Sequence, residues 1–169
     1  KELLSRNYHV QAFSRKPIVA EHKNLQVQIV SNYAEIDFTD VEYQGLIVTQ
    51  GFFHFDEIKK LDNRDLEKII EANFVSQIQV VRNFLKQADE GLRADIVILG
   101  STSAFQAGRG TTVYGAAKAG MLGFVRALNE EYKDTDIRFW FVSTGTLSNE
   151  MGAKVPNQDP SSLLDPELV

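Results

Sequence analysis

The sequence predicts an α/β fold, a doubly wound parallel sheet with helices on both faces. Strand-length apolar runs alternate with long stretches of helical periodicity, and several of those runs are apolar at consecutive positions. A strand of that kind meets no water on either side, as happens in a parallel sheet covered by helices. Right-handed crossovers between parallel strands then distribute the helices over both faces.

The runs lie at residues 10–13, 25–30, 45–49, 96–99 and 139–142. Between the third and fourth, Leu66, Ile69, Ile70, Phe74, Ile78, Val81 and Leu85 recur at helical spacing over residues 65–87. Asp62 or Asn63 stands where it caps the first turn. Between the fourth and fifth, residues 112–132 carry Val113, Ala116, Ala117, Met121, Phe124, Val125 and Leu128 at the same period. The stretch from residue 30 to 46 is at the lower limit for a crossover, so its helix is expected to shrink to a turn or two, unless residues are missing there. Residues 1–7 read as the last turns of a helix, residues 164–169 as the first turn of another, and no glycine-rich turn precedes the first strand. The expectation is a single domain over residues 1–169, a piece of a longer chain that lacks its first strand and last elements. In a doubly wound sheet the first strand is central, so the strands at 10–13 and 45–49 are expected to lack a shared neighbour.

The 169 residues include 43% hydrophobic and 24% charged residues, enough for an ordinary core. A net charge of -5 gives no basic field for nucleic acid or an anionic membrane, so the expected partner is a small molecule. The absence of cysteine removes disulfides, thiol nucleophiles and cysteine-rich zinc sites. His9, His22 and His54 lack metal-ligand spacing, with His9 flanking the first strand, and no metal is expected. The longest apolar runs are too short to cross a bilayer and neither end resembles a signal peptide, which places the expected location in the cytoplasm.

The chemistry centres on Tyr114 and Lys118. Four residues apart on a helix, they share one face, so an ammonium comes within a few ångströms of a phenol. A free tyrosine titrates near ~10, and bringing it to neutrality takes about 3 to 4 kcal/mol of phenolate stabilisation, within reach of a partly desolvated cation. Tyrosine then serves as general acid and base. The apolar strand Ile96-Val97-Ile98-Leu99 runs into Gly100-Ser101, delivering a hydroxyl at a strand's carboxyl end, where open α/β sheets bind ligands. No Gly-x-Ser-x-Gly turn surrounds Ser101, which disfavours a hydrolase.

The stretch from Gly100-Ser101-Thr102-Ser103 through Tyr114-Gly115-Ala116-Ala117-Lys118-Ala119-Gly120 to Phe124 resembles the short-chain dehydrogenase/reductases, a family of Rossmann-like fold. Glu71-Ala72-Asn73-Phe74 and Thr144-Gly145-Thr146-Leu147 extend the resemblance. It implies that Tyr114 exchanges a proton with the substrate oxygen while hydride moves at a nicotinamide carbon. Lys118 would lower the tyrosine pKa and bind the nicotinamide ribose. Ser101 would hold the substrate oxygen, and Asn73 a water that feeds protons to Lys118. Thr146 and Leu147 would offer backbone groups to the nicotinamide amide.

Ser14 and Arg15, with Lys16, follow the first strand where the fold approaches the adenosine ribose. A serine and a guanidinium suit a 2′-phosphate, so NADP(H) is preferred and NAD(H) possible. Asn32 follows the strand at 25–30, while Asp37-Phe38-Thr39-Asp40 resembles the family's acidic turn but lies later than the short crossover would place it, so the adenine contact is left unassigned. Where the family has Asn-Asn-Ala-Gly this chain has Val48-Thr49-Gln50-Gly51, and only Gly51 is kept for close backbone approach to the nucleotide. Thr144 likewise replaces a common proline, which marks a divergent member.

Phe52, Phe53, His54 and Phe105 are candidates for the substrate pocket or for core packing. Gly115, Ala119, Gly120 and Gly123 permit close approach of another backbone, either within the chain or, as the resemblance implies, in a homodimer or homotetramer. The function expected is an NADP(H)-dependent carbonyl reductase or alcohol dehydrogenase. The alternative is a catalytically silent dinucleotide-binding sensor, against which the complete set of Ser101, Tyr114, Lys118 and Asn73 argues.

Overall fold

Among the described residues, five strands, each parallel to its sheet neighbour, follow in the order expected, with long helical stretches between the third and fourth and between the fourth and fifth. The computed structural model describes residues 1–39, 42–87, 91–106, 108–156 and 159–166. The strands are β1 Val10–Ser14, β2 Leu25–Ile29, β3 Gly45–Val48, β4 Ala94–Leu99 and β5 Ile137–Val142, and the helices are α1 Glu2–Ser5, α2 Asn63–Ile70, α3 Ser76–Gln87 and α4 Thr112–Glu131. β1 pairs with β2, and β3, β4 and β5 form a separate sheet in that order. β1 and β3 thus lack a common neighbour, as anticipated; a cavity of about 360 Å³ lies between them, walled by Ala12, Phe13, Leu46, Val48 and Phe84. The two sheets are tied by rings: Phe38 meets Phe13 edge-on at 5.7 Å and Phe84 of α3 at 5.5 Å.

β4 is the interior strand of its sheet, and its β-branched residues Ile96 and Ile98 are fully buried. They pack with Val48, Phe139, Val81 and Phe84 of α3, and Met121 and Val125 of α4 in one core. Both long helices lie on that face. The opposite face carries the row Ile47–Val97–Trp140, with Ile47 and Trp140 exposed. There Asp95 accepts hydrogen bonds from Trp140 Nε1 and Arg138, both at 2.7 Å, which hold its pKa below the usual carboxylate value.

The connections follow local chemistry. α1 stops at Asn7, whose φ of 69° is left-handed. The short crossover holds a single 3₁₀ turn, Tyr33–Glu35. Asp62 caps α2 by accepting from Asp65 N at 2.7 Å. The end of the chain departs from expectation: Leu164 forms an isolated parallel bridge to Leu147 rather than opening a helix, and residues 167–169 lie outside the described residues. Leu164 N donates to the Thr146 carbonyl at 2.9 Å, a bond that a starting helix would leave unmade.

Candidate active site

The stripe of α4 that faces the core is Tyr114, Ala117, Lys118, Met121, Val125 and Leu128. Ala116, which the apolar pattern placed inside, is exposed. Burying Met121 and Val125 against β4 therefore rotates the phenol and the ammonium inward with them. Tyr114 is 7% exposed and Lys118 4%.

The Ser101 hydroxyl lies beside the Tyr114 phenol and accepts from Ser103 N at 3.2 Å, and Phe53 abuts the tyrosine ring edge-on at 5.0 Å. Lys118 Nζ donates to the Leu99 carbonyl at 3.1 Å and stands 5.9 Å from the centre of the Tyr114 ring. Burial raises the Tyr114 pKa above 10.0, with the Ser101 hydroxyl opposing it. Burial also lowers Lys118, to about 8. The expected pull of Lys118 on the phenol is thus outweighed: both groups sit in a poorly solvated wall that favours their neutral forms.

Asn73 lies on a π-helical turn, Glu71–Val75, between α2 and α3. Its Nδ2 donates to Phe52 O at 2.6 Å and Ile69 O at 2.9 Å, while its Oδ1 accepts from Phe52 N at 3.3 Å. The side-chain amide is therefore committed to the backbone. Gly51 fits beside it, since a β-carbon there would stand 3.0 Å from Asn73 Oδ1.

The innermost line of these helices is Ile69, Asn73, Gln77, Val81 and Phe84, while Ile70, Phe74, Ile78 and Leu85 of the expected stripe flank it half-buried. Gln77 is the residue that sequence reasoning missed. Fully buried, it donates from Nε2 to Gln50 O at 2.6 Å, and its Oε1 has no partner among the described residues. Its spacing of four from Asn73 was the available signal.

Ser101, Tyr114, Lys118, Asn73, Gly51 and Thr146 line one cavity of about 300 Å³ at the carboxyl ends of β3, β4 and β5. Phe53 is on its wall. Phe52 is not; it lies under Lys68 Nζ at 4.0 Å and Lys154 Nζ at 5.8 Å. His54 faces Asp65 at 3.6 Å outside the cavity, and Phe105, 59% exposed, leans on Phe141. Each of these three is held by a neighbour that the sequence pattern does not reveal.

A second cleft of about 220 Å³ is lined by Arg15, Ser31, Asn32, Tyr33, Lys68 and Glu71, and it meets the first at Gln50 and Gly51, which line both. Arg15 lies over the Tyr33 ring at 5.3 Å. Ser14 is not on the cleft wall; its hydroxyl accepts from Lys16 N at 3.1 Å. Asn32 caps the 3₁₀ turn through Ala34 N, and Asp37, exposed, accepts from Thr39 N and Oγ1; Asp40 lies outside the described residues.

Of the small residues on α4, Gly120 receives Phe74 of the π turn, where a β-carbon would stand 3.0 Å from the ring, and Gly123 faces open space. Among the described residues, no His/Asp/Glu group is placed to hold a metal ion, and no helix is long and apolar enough to cross a membrane.

A parallel α/β sheet with serine, tyrosine and lysine gathered past its strand ends defines a protein of the dinucleotide-binding fold. The chain belongs to the short chain dehydrogenase family, whose pattern matches residues 7–160. It is 25% identical to an uncharacterized oxidoreductase of Saccharomyces cerevisiae over 88% of this chain and 48% of that protein. It is also 25% identical to carbonyl reductase family member 4 of Xenopus tropicalis, over 89% and 70%. The chain thus spans only about half the length of the first of these curated relatives. Its fold matches Escherichia coli serine dehydrogenase with a TM-score of 0.78 at 20% identity, covering 89% of this chain and 77% of that one. A closed serine dehydrogenase complexed with NADP+ matches at 0.77 (20% identity; 88% and 66%). A 4-hydroxyisoleucine dehydrogenase complexed with NADH and succinate matches at 0.76 (20% identity; 88% and 75%).

Proposed function

We propose that this chain carries the catalytic part of an NADP(H)-dependent oxidoreductase that interconverts a carbonyl and an alcohol, with Tyr114 as general acid and base. The observation that carries the reading is the enclosure of Tyr114, Ser101 and Lys118 on one cavity wall, next to a second cleft lined by both Gly51 and Arg15. The residues fit a dinucleotide. Lys118 keeps N–H donors beyond the one given to Leu99, and the two clefts share Gln50 and Gly51 as lining.

When bound, the reduced nicotinamide supplies the hydride that forms the new C–H bond at the carbonyl carbon. Tyr114 gives its phenolic proton to the carbonyl oxygen, and burial keeps that proton in place at neutral pH until the oxygen needs it. Ser101 holds both the substrate oxygen and the resulting phenolate. Lys118, titrating near 8, returns the proton from solvent. Because the Asn73 side chain is committed to Phe52 and Ile69, its part in that relay falls to its backbone carbonyl, which can hold a water.

Arg15 and Lys68 on the second cleft favour a 2′-phosphate, hence NADP(H) over NAD(H). Structural neighbours complexed with NADP+ and with NADH show that the fold takes both. Exposed Ala119 and the open space at Gly123 support a homodimer or homotetramer packed through α4. The test uses the full-length protein and compares NADPH oxidation across a carbonyl panel with that of Tyr114→Phe. Turnover lost while NADPH binding persists supports the enzyme. Binding without turnover in the unaltered protein favours the silent sensor that the Val48-Thr49-Gln50 departure suggests.

A further inference from the structure

We propose that the tyrosine cavity selects an uncharged carbonyl compound or alcohol over a carboxylate or an amino acid, an inference that rests on the oxidoreductase reading above. Beyond the reacting group, the wall is made of Phe53, Met151, Val155 and Leu147 on the apolar side and Ser103 and Gln106 on the polar side. Among the described residues, Lys118 is the one charged side chain in the lining. Away from Lys118, a substrate carboxylate or ammonium entering this wall gives up its water and finds only neutral dipoles in return, which disfavours it against a neutral analogue of the same shape.

The neighbouring cations are committed elsewhere. Lys118 donates to the Leu99 carbonyl and, on the oxidoreductase reading, gives its remaining donors to the dinucleotide. Arg109, on the rim loop that contributes Gln106, Gly108 and Thr111, is ion-paired with Glu57, and Glu57 also draws Lys59 and Lys60 at 3.7 and 3.6 Å. That loop is fastened to the Glu57 segment by Asp56 N donating to Gly110 O at 3.0 Å, so the pair is held at the rim. Lys154 turns away from the cavity onto Phe52. The polar side is also partly spent: Asn149 Oδ1 accepts from Met151 N and Gly152 N at 3.1 and 2.9 Å. What remains unengaged for a substrate is hydroxyl and amide chemistry together with an apolar wall, and Glu57 offsets the charge of Arg109 beside the rim.

The test measures medium-chain oxo-acid ethyl esters against the corresponding free oxo acids in the full-length protein with saturating NADPH. The expected kcat/KM ratio is at least a hundredfold in favour of the esters. Calorimetry on Tyr114→Phe with NADPH bound separates selection from chemistry, and there the esters are expected to bind at least tenfold tighter. Glu57→Gln frees Arg109 and is expected to narrow the ester-to-acid ratio two- to fivefold at low salt. Acids bound or reduced as well as their esters would overturn the proposal, and so would a ratio that Glu57→Gln leaves unmoved. If neither series is turned over while the esters still bind preferentially, the oxidoreductase reading fails and the selectivity of the cavity stands.

Discussion

The two ends of the cleft are built on opposite principles. At the tyrosine end, Tyr114, Lys118 and Asn73 are all less than a tenth exposed and are wedged between α4, the π turn and β4. At the arginine end, Arg15 and Asn32 are exposed on short loops after β1 and β2, in a sheet of only two strands. At the first end packing and chemistry share the same residues, so a substitution disturbs both. At the second a side chain can change affinity without disturbing the core.

Four substitutions probe that contrast, in falling order of effect. Ser101→Ala removes the hydroxyl beside Tyr114, and kcat is expected to fall on the order of 10²-fold, the usual cost of one such donor. Steady-state kinetics at saturating ketone checks it. Lys118→Met acts through pH. The folded value of about 8 lies below the ordinary 10.5, so between those values the unfolded chain binds more protons and stability climbs with pH. Below pH 8 the buried ammonium costs about 3 kcal/mol, and the methionine variant should be more stable at pH 7 by up to that amount and lose the climb between pH 8 and 10.5 in urea titrations.

Asn73→Ala strands the Phe52 N–H and carbonyl inside the protein, for an expected loss of about 2 to 3 kcal/mol by the same urea titrations. Arg15→Ala tests the exposed end. It should cut the NADPH-over-NADH preference about tenfold while leaving urea stability within about 0.5 kcal/mol. A loss of stability there as large as that of Asn73→Ala would erase the distinction between the two ends.

Much of the fold was legible because parallel strands and amphipathic helices advertise themselves through period: β4 and α4 lie within two residues of their expected bounds. The tyrosine end was legible because helical spacing and a strand end fix Tyr114, Lys118 and Ser101 together. What escaped was set by long-range contacts. The apolar period ran through Ile69, Ile70, Phe74, Ile78 and Val81, whereas the fully buried line also takes Asn73 and Gln77, because the backbone around Phe52 and Gln50 needs polar partners. The direction of the tyrosine shift escaped for a related reason. Spacing puts a cation near the phenol but says nothing of how much water remains around either. At the arginine end, Ser14 turned to its own loop, a local hydrogen bond that sequence patterns do not rank against a ligand contact.

The central claim is that the Tyr114 cavity performs hydride and proton transfer at a carbonyl. The most direct measurement incubates the full-length protein with NADPH deuterated on either face of nicotinamide C4 and a neutral ketone, then locates the deuterium by mass spectrometry. Deuterium at the carbinol carbon from one face alone, abolished in Tyr114→Phe, is the predicted result. Cofactor consumption without labelled alcohol, or labelling that survives Tyr114→Phe undiminished, would contradict it.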